Sequence, residues 1–279
     1  MIVDTHVHVV SQDTARYPIH PGGIHLDWVY KRPVTAEQLI AGMREGGVAR
    51  AVLVQAKSAH GYDNSYVADT AALHRDLFSS VCSVNVSEPD APDRLSYWIE
   101  DRRMEGLRIF NGASRDDPWL DDPRSLAVLE RARQLKVPVT MVSRHHEIEH
   151  VRNVLERFHD MPLALDHLAR LPSDERPPYD NSEEFFALAE YPNLSLKFSA
   201  VNQWAAARGP VPPREYFKAI VDRFGAKRLM WGSNYPPTSF RPYRELARMA
   251  WDLLDFLPDE QRRWIMGENA LRHWPAPKG

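Results

Sequence analysis

The chain of 279 residues contains a single cysteine, Cys82. No internal disulfide can form, and a reducing, cytoplasmic compartment is the expectation. No run approaches the roughly 20 apolar residues that a membrane span requires. The opening MIVDTHVHVV puts Asp4, His6 and His8 where a secretory leader would be apolar. Positive charge is not in surplus: 35 Lys and Arg stand against 38 Asp and Glu, a formal net charge of −3. That balance argues against a nucleic-acid binder, which would carry a basic stripe. No G-x-G-x-x-G turn follows a strand, so a dinucleotide site has no support. Internal repeats and low-complexity runs are missing as well. The 43% hydrophobic and 26% charged fractions exclude a disordered or fibrous chain.

What is present is a regular alternation. Short apolar runs at 2–8, 51–55, 80–85, 106–110, 137–142, 163–167, 194–198 and 229–233 read as strands. Amphipathic stretches at 35–45, 65–75, 92–101, 126–134, 147–158, 183–190 and 213–224 read as helices between them. Strands joined through helices form a parallel sheet covered on both faces. Eight such units predict an α/β fold, a (β/α)8 TIM barrel in one domain over residues 1–279. A C-terminal helical extension follows at 258–274. The proline-rich pieces 171–179, 209–213 and 235–242 read as loops, too short to link domains.

In such a barrel the reacting groups lie at the carboxyl ends of the strands. Strand one ends in Asp4-Thr5-His6-Val7-His8. Side chains two apart in a strand share a face, so His6 and His8 are expected at the mouth together. Strand six delivers Asp166 and His167, with Arg170 in the loop beyond, where its fork suits a carboxylate. Strand four carries Arg108 between Leu107 and Ile109, and a charge there has reason to face the mouth. Strand eight leads into Ser233, Asn234 and Tyr235. Gln55, at the end of strand two, and Tyr235 complete the expected substrate contacts.

Seven segments, DTHVH, VLVQ with GYDNSYV, EGLRIFN, LDHLAR, NLSLKFS, MWGSNYP and GENALRHW, span residues 2–274 in an order that resembles the amidohydrolase superfamily. Within it the likeness is to the lactonase branch, which includes 2-pyrone-4,6-dicarboxylate, sulfomucono- and L-fucono-lactonases. The resemblance implies a barrel that hydrolyses a lactone or related cyclic ester on a small, anionic or sugar-derived substrate. His6, His8, His167 and the strand-eight residue Asn234 would be catalytic, with Arg108 and Arg170 holding substrate carboxylates. It leaves open one divalent metal, zinc or manganese, on His6, His8 and His167, or none. The expected partner is a small molecule, with no nucleic acid or membrane; a homo-oligomer stays open.

The last strand of the family usually ends G-[ST]-D-[WY]-P, and here Asn234 takes the place of that Asp. An amide is no general base. Three readings follow: another base among Asp63, Asp166, His60 and His145; a changed reaction, such as metal-dependent decarboxylation; or a non-catalytic barrel that binds an acidic ligand. Cys82 reads as core, and Trp251, Trp264 and Trp274 as core or subunit contact. His146 and His150 read as solvated helix. The long segment after strand one, with Tyr17, His20, His25, Trp28 and Tyr30, reads as a substrate lid.

Overall fold

Eight parallel strands form where the apolar runs fall: β1 (Ile2–Val7), β2 (Val48–Val54), β3 (Phe78–Val81), β4 (Leu107–Phe110), β5 (Val139–Val142), β6 (Leu163–Leu165), β7 (Leu194–Phe198) and β8 (Leu229–Trp231). The structure is a computed structural model that describes residues 1–21, 26–112, 117–176, 179–237 and 241–276. His25 therefore lies outside the described residues. β1 to β3 form one ladder and β4 to β8 another. Parallel bridges close both seams, Cys82 with Leu107 and Val7 with Tyr235. The result is the closed eight-stranded barrel that the alternation predicts.

Strand alternation divides the interior in two. Leu107, Ile109, Val139, Met141, Leu196 and Phe198 face the helices and join the main core. Their neighbours point inward. Val3, Val52, Val54, Val81, Ala164 and Met230 fill the barrel floor, closed from below by Trp274. Trp251 and Trp264 pack partly buried against the main core. Cys82 is fully buried, and burial pushes its thiol up to about 12, which fits a core residue.

The helices begin and end on local chemistry. Thr35 and Gln38 form a capping box at the start of Ala36–Gly46, and Gly47, at φ 67°, closes its end. Helices at Ala200–Arg208 and Tyr243–Leu253 lie outside the expected set. The first is alanine-rich with no clean polar face, and the second supplies the eighth outer helix. The C-terminal extension runs through Asp259–Arg263, a π-turn at Trp264–Glu268 and Ala270–His273. Among the described residues no helix is long and apolar enough to cross a membrane.

His273 anchors that extension, its Nε2 lying 3.0 Å from Ser195 Oγ on β7. Burial, with Lys197 and Arg272 nearby, lowers its pKa from 6.5 to about 4. The folded chain thus holds His273 neutral, while the unfolded imidazole takes a proton near its ordinary value. Stability present above pH 6.5 is lost as pH falls toward 4, by about 2 kcal/mol at pH 5. Denaturant titrations at pH 7 and pH 5 should show a drop about 2 kcal/mol smaller in His273→Gln than in the parent. Equal drops would mean that His273 is not a buried neutral group.

Candidate active site

The two histidines of strand one reach the interior through a β-bulge. Val3 pairs with Arg50 and Asp4 with Ala51, but Val7 pairs with Leu53, so three steps on β1 answer two on β2. One extra residue switches the parity of the side chains. Val3 faces the floor, and His6 and His8 nevertheless face inward above it. Behind His6, β8 passes so close that a Cβ on Gly232 would lie 2.6 Å from the His6 Cβ and 2.9 Å from its N. Only glycine fits there.

Beneath the histidines sits Asp166, 1% exposed. His6 Nδ1 lies 3.1 Å from its Oδ1, Arg108 Nε donates to Oδ2 at 3.0 Å, and Lys197 Nζ stands 3.6 Å from Oδ1. Burial pushes this carboxyl up, but His6, Lys197 and Arg108 outweigh it and hold the group well below the carboxylate range. Lys197 donates also to the Thr5 carbonyl at 3.1 Å and to Thr140 Oγ1 at 3.3 Å. Its burial lowers it to about 8 against the pull of Asp166. A buried lysine with three oxygens around it is a structural cation.

The contacts of the imidazoles determine their tautomers. His6 Nδ1 faces a carboxylate, and His8 Nδ1 lies 2.7 Å from the Val54 carbonyl, so both Nδ1 atoms carry hydrogen. Burial drives His6 well below its ordinary pKa and takes His8 to about 3. Both rings are neutral at pH 7, and their Nε2 lone pairs meet at 3.2 Å with no proton between them. That spacing is close to the ~3.3 Å edge of a tetrahedral site with Zn–N bonds of ~2.0–2.1 Å. Ligand atoms of His6, Asp166 and His167 also lie within 4.8 Å of one another. The donor set fits a divalent ion, with Asp166 and the Val54 carbonyl behind the histidines as orienting groups.

His167 arrives differently. After β6 the chain makes a left-handed turn in which His167, Leu168, Ala169 and Arg170 have φ of 51°, 51°, 49° and 54°. Such backbone is unfavourable for residues with a Cβ, and Asn202 offsets it by donating to the His167 carbonyl at 2.8 Å. Ser199 Oγ lies 2.8 Å from His167 Nδ1. Burial lowers this imidazole to about 4, and its ring centroid is 4.6 Å from that of His6.

These groups open into a cavity of about 340 Å³ at the C-terminal mouth, lined among others by His8, Arg108, His167, Arg170 and Asn234. Asn234, at φ 52°, adopts a left-handed conformation that Asn and Asp tolerate best. Its N–H donates to the His6 carbonyl at 2.8 Å. Arg170 is exposed on the rim and makes no ion pair with Asp174 or Glu175; Glu175 instead accepts from Asn181 N and Ser182 Oγ.

Several expected residues stand elsewhere. Gln55 is buried away from the cavity, its Nε2 donating to the carbonyls of Gly61 and Asp63, so it holds a loop. Tyr235 meets Tyr243 edge-on and lines a separate groove with Pro33 and Arg241; its carbonyl accepts from His8 N. His60 and Asp63 line a different depression, and His145 sits half-buried in a short turn outside the cavity lining. Of the supposed lid, Trp28 lines the cavity and lies stacked near His8 with centroids 6.1 Å apart. Tyr17 donates to Asp69, and Tyr30 is 59% exposed. His150 is not a solvated residue: it stacks on Trp119 at 4.4 Å and lies 2.8 Å from Asp121.

Three site residues lay beyond the sequence reading: Lys197, Glu147 and Lys57. Lys197 had a signal, a lysine between Leu196 and Phe198 in an apolar strand. Glu147 and Lys57 had none, since each reads as ordinary helix-start polarity. Lys57 is 4% exposed and donates to both carboxylate oxygens of Asp117 at 2.9 Å.

A family model described as Amidohydrolase matches residues 3–276. Among curated relatives, an L-fucono-1,5-lactonase from Burkholderia ambifaria is 29% identical over 264 residues, 89% of this chain and 87% of that protein. Among solved structures, an amidohydrolase from Burkholderia multivorans with bound zinc has a TM-score of 0.79 at 20% identity, covering 99% of this chain and 100% of that one. 2,6-Dihydroxybenzoate decarboxylase from Rhizobium has a TM-score of 0.70 at 14% identity, covering 98% of each chain. At these identities the two structures show the shared barrel alone.

Asp166→Asn should cost about 3–5 kcal/mol of stability, because Arg108 and Lys197 stay buried without their counter-charge. Asp166→Asn combined with Lys197→Met should lose less than the sum of the single losses. Denaturant unfolding of the four proteins measures this coupling. Additive losses would show that the two groups do not interact.

Proposed function

The chain belongs to the amidohydrolase family, and from that premise we propose that it hydrolyses the lactone of a polyhydroxylated, sugar-derived acid. The observation that carries this reading is the convergence of neutral His8 and His167 on one cavity, with His6 buried behind them between His8 and Asp166. The lactonase relative from Burkholderia ambifaria supports a sugar-derived ring.

The charges of the cavity favour that ring over a dicarboxylate. Four lining cations, Lys57, Arg108, Arg144 and Arg170, face Glu147 in the lining and Asp117 and Asp166 behind it. With Lys197, which shares Asp166 with Arg108, the described residues leave two positive units, and the lining cation outside these ion pairs is Arg170 at the rim. Among the described residues a second substrate carboxylate would meet Glu147, whose pairing with Arg144 leaves no second lining cation outside an ion pair. Glu147 is instead an acceptor for ring hydroxyls, and Arg170 a donor to the lactone oxygens.

In the reaction, water adds to the lactone carbonyl as a base takes its proton, and the ring C–O bond breaks as the alkoxide leaves and receives that proton from the same group. His167 is our choice for the base. It is neutral at pH 7, open to the cavity, and its Nδ1 is held by Ser199, which leaves Nε2 for the water. Asp166 stabilises the imidazolium that forms nearby. Asn234 orients the water by hydrogen bonding and takes no proton. A divalent ion would be held by His6 and His8, and when bound would polarise the carbonyl as a Lewis acid. The single buried cysteine suits a cytoplasmic setting for this activity.

A lactone panel followed by acid release should give turnover of sugar lactones and at least about tenfold lower kcat/KM for dicarboxylate lactones, with Glu147→Gln narrowing the gap. His167→Asn should lower kcat by about a thousandfold, while Asn234→Asp changes it by less than about tenfold. A rise of several orders of magnitude in Asn234→Asp would sink the choice of His167 and mark the amide as a disabled base. Release of CO2 from a benzoate, with every lactone inert, would overturn the hydrolase reading.

Metal analysis after dialysis against zinc or manganese should find one equivalent in the parent and none in the His6→Ala/His8→Ala double variant. Equal content in both would place the ion elsewhere.

A further inference from the structure

Asp4 lies outside the cavity lining and is fully buried, with no ion pair to a Lys, Arg or His among the described residues. A buried carboxylate without a cation must be held by hydrogen-bond donors. Two of its donors belong to the site's own backbone. Oδ1 accepts the N–H of His6 at 3.0 Å and that of Ser233, the residue before Asn234, at 2.8 Å. Oδ2 accepts the Tyr243 hydroxyl at 2.9 Å, from the outer helix Tyr243–Leu253.

The position of this carboxylate matters more than its depth. It sits at the bulge between Asp4 and Val7, the extra residue that lets Val3 and His6 both face inward. A bulge breaks the local ladder and leaves backbone donors to be satisfied elsewhere. One oxygen takes the donor at His6 and joins it to β8. Two further bonds reinforce the junction: Thr5 Oγ1 donates to the Trp231 carbonyl at 2.7 Å, and Asn234 N to the His6 carbonyl at 2.8 Å. Gly232 allows the close approach.

We propose that Asp4 is a positioning residue that clamps the β1 bulge to β8 and so sets the direction of His6 toward His8 and Asp166. It touches no substrate. Its effect on turnover rests on the hydrolase reading, whereas its effect on the His6 ring does not. What the clamp needs is an oxygen that accepts two N–H groups, a demand that an amide oxygen meets as well as a carboxylate oxygen does.

The test compares Asp4→Asn with Asp4→Ala in protein labelled with ¹⁵N-histidine, the His6 ring signals being assigned by their loss in His6→Gln. Asp4→Asn should keep the His6 imidazole signals of the parent. Asp4→Ala should shift or broaden them while those of His150, on the helix after β5 and bonded to Asp121, stay in place. On the best sugar lactone, Asp4→Ala should lower kcat by about 100-fold with little change in KM, and Asp4→Asn should restore most of it. A folded Asp4→Ala protein with parental His6 signals overturns the proposal. So does a folded Asp4→Asn protein that has lost them, a criterion that holds even if Asp4→Ala fails to fold. If no lactone is turned over by the parent, the hydrolase reading fails and the ring signals still decide the role of Asp4.

Discussion

The site depends on one buried carboxylate and the groups that keep it charged. Asp166 follows β6, Arg108 belongs to β4, Lys197 to β7 and His6 to β1, so a single side chain joins four strands through its two oxygens. Each partner has a direction to satisfy, and together they fix how far those strands project into the barrel. Replacing such a cluster with packed apolar side chains is often neutral or favourable for stability. Its presence here is explained by what it does to its neighbours. It sets the His6 tautomer, and it anchors Arg108 beside the cavity instead of leaving that cation to a substrate.

The left-handed turn at 167–170 shows a similar preference for direction over stability. Four residues with side chains in this region cost about 1–2 kcal/mol each. Some of that cost is offset by Asn202 on the His167 carbonyl, by Leu171 N bonding to Leu168 O at 2.9 Å, and by Tyr216 donating to the Leu171 carbonyl at 3.1 Å. The turn brings His167 and Arg170, three residues apart, to the same cavity.

The barrel was legible because its evidence is periodic: apolar runs, helical stretches between them, and polar residues at strand ends. His6, His8, His167, Arg108, Arg170 and Asn234 could be found the same way, since strand ends are where a barrel places its chemistry. Gln55 and Tyr235 show the limit of that rule. Both sit at strand ends, yet one holds a loop and the other lends the site only its carbonyl. The direction of Asp166 needed the parity of its strand, which regular alternation leaves open in so short a segment. The bulge in β1 is invisible in a sequence, because an extra residue looks like any other. Glu147 and Lys57 were hidden because their meaning depends on partners distant in the chain. The alanine-rich helix at Ala200–Arg208 gave too weak a periodicity to stand out.

The two seams of the barrel have a mechanical meaning. His6 and His8 come from the three-stranded ladder, while Arg108, Asp166, His167 and Lys197 come from the five-stranded one. Each seam is a single bridge with a few bonds beside it. The imidazoles of His6 and His8 and the acid that orients His6 are therefore held by different ladders, and the 3.1 Å contact between His6 and Asp166 ties the two together from inside the barrel.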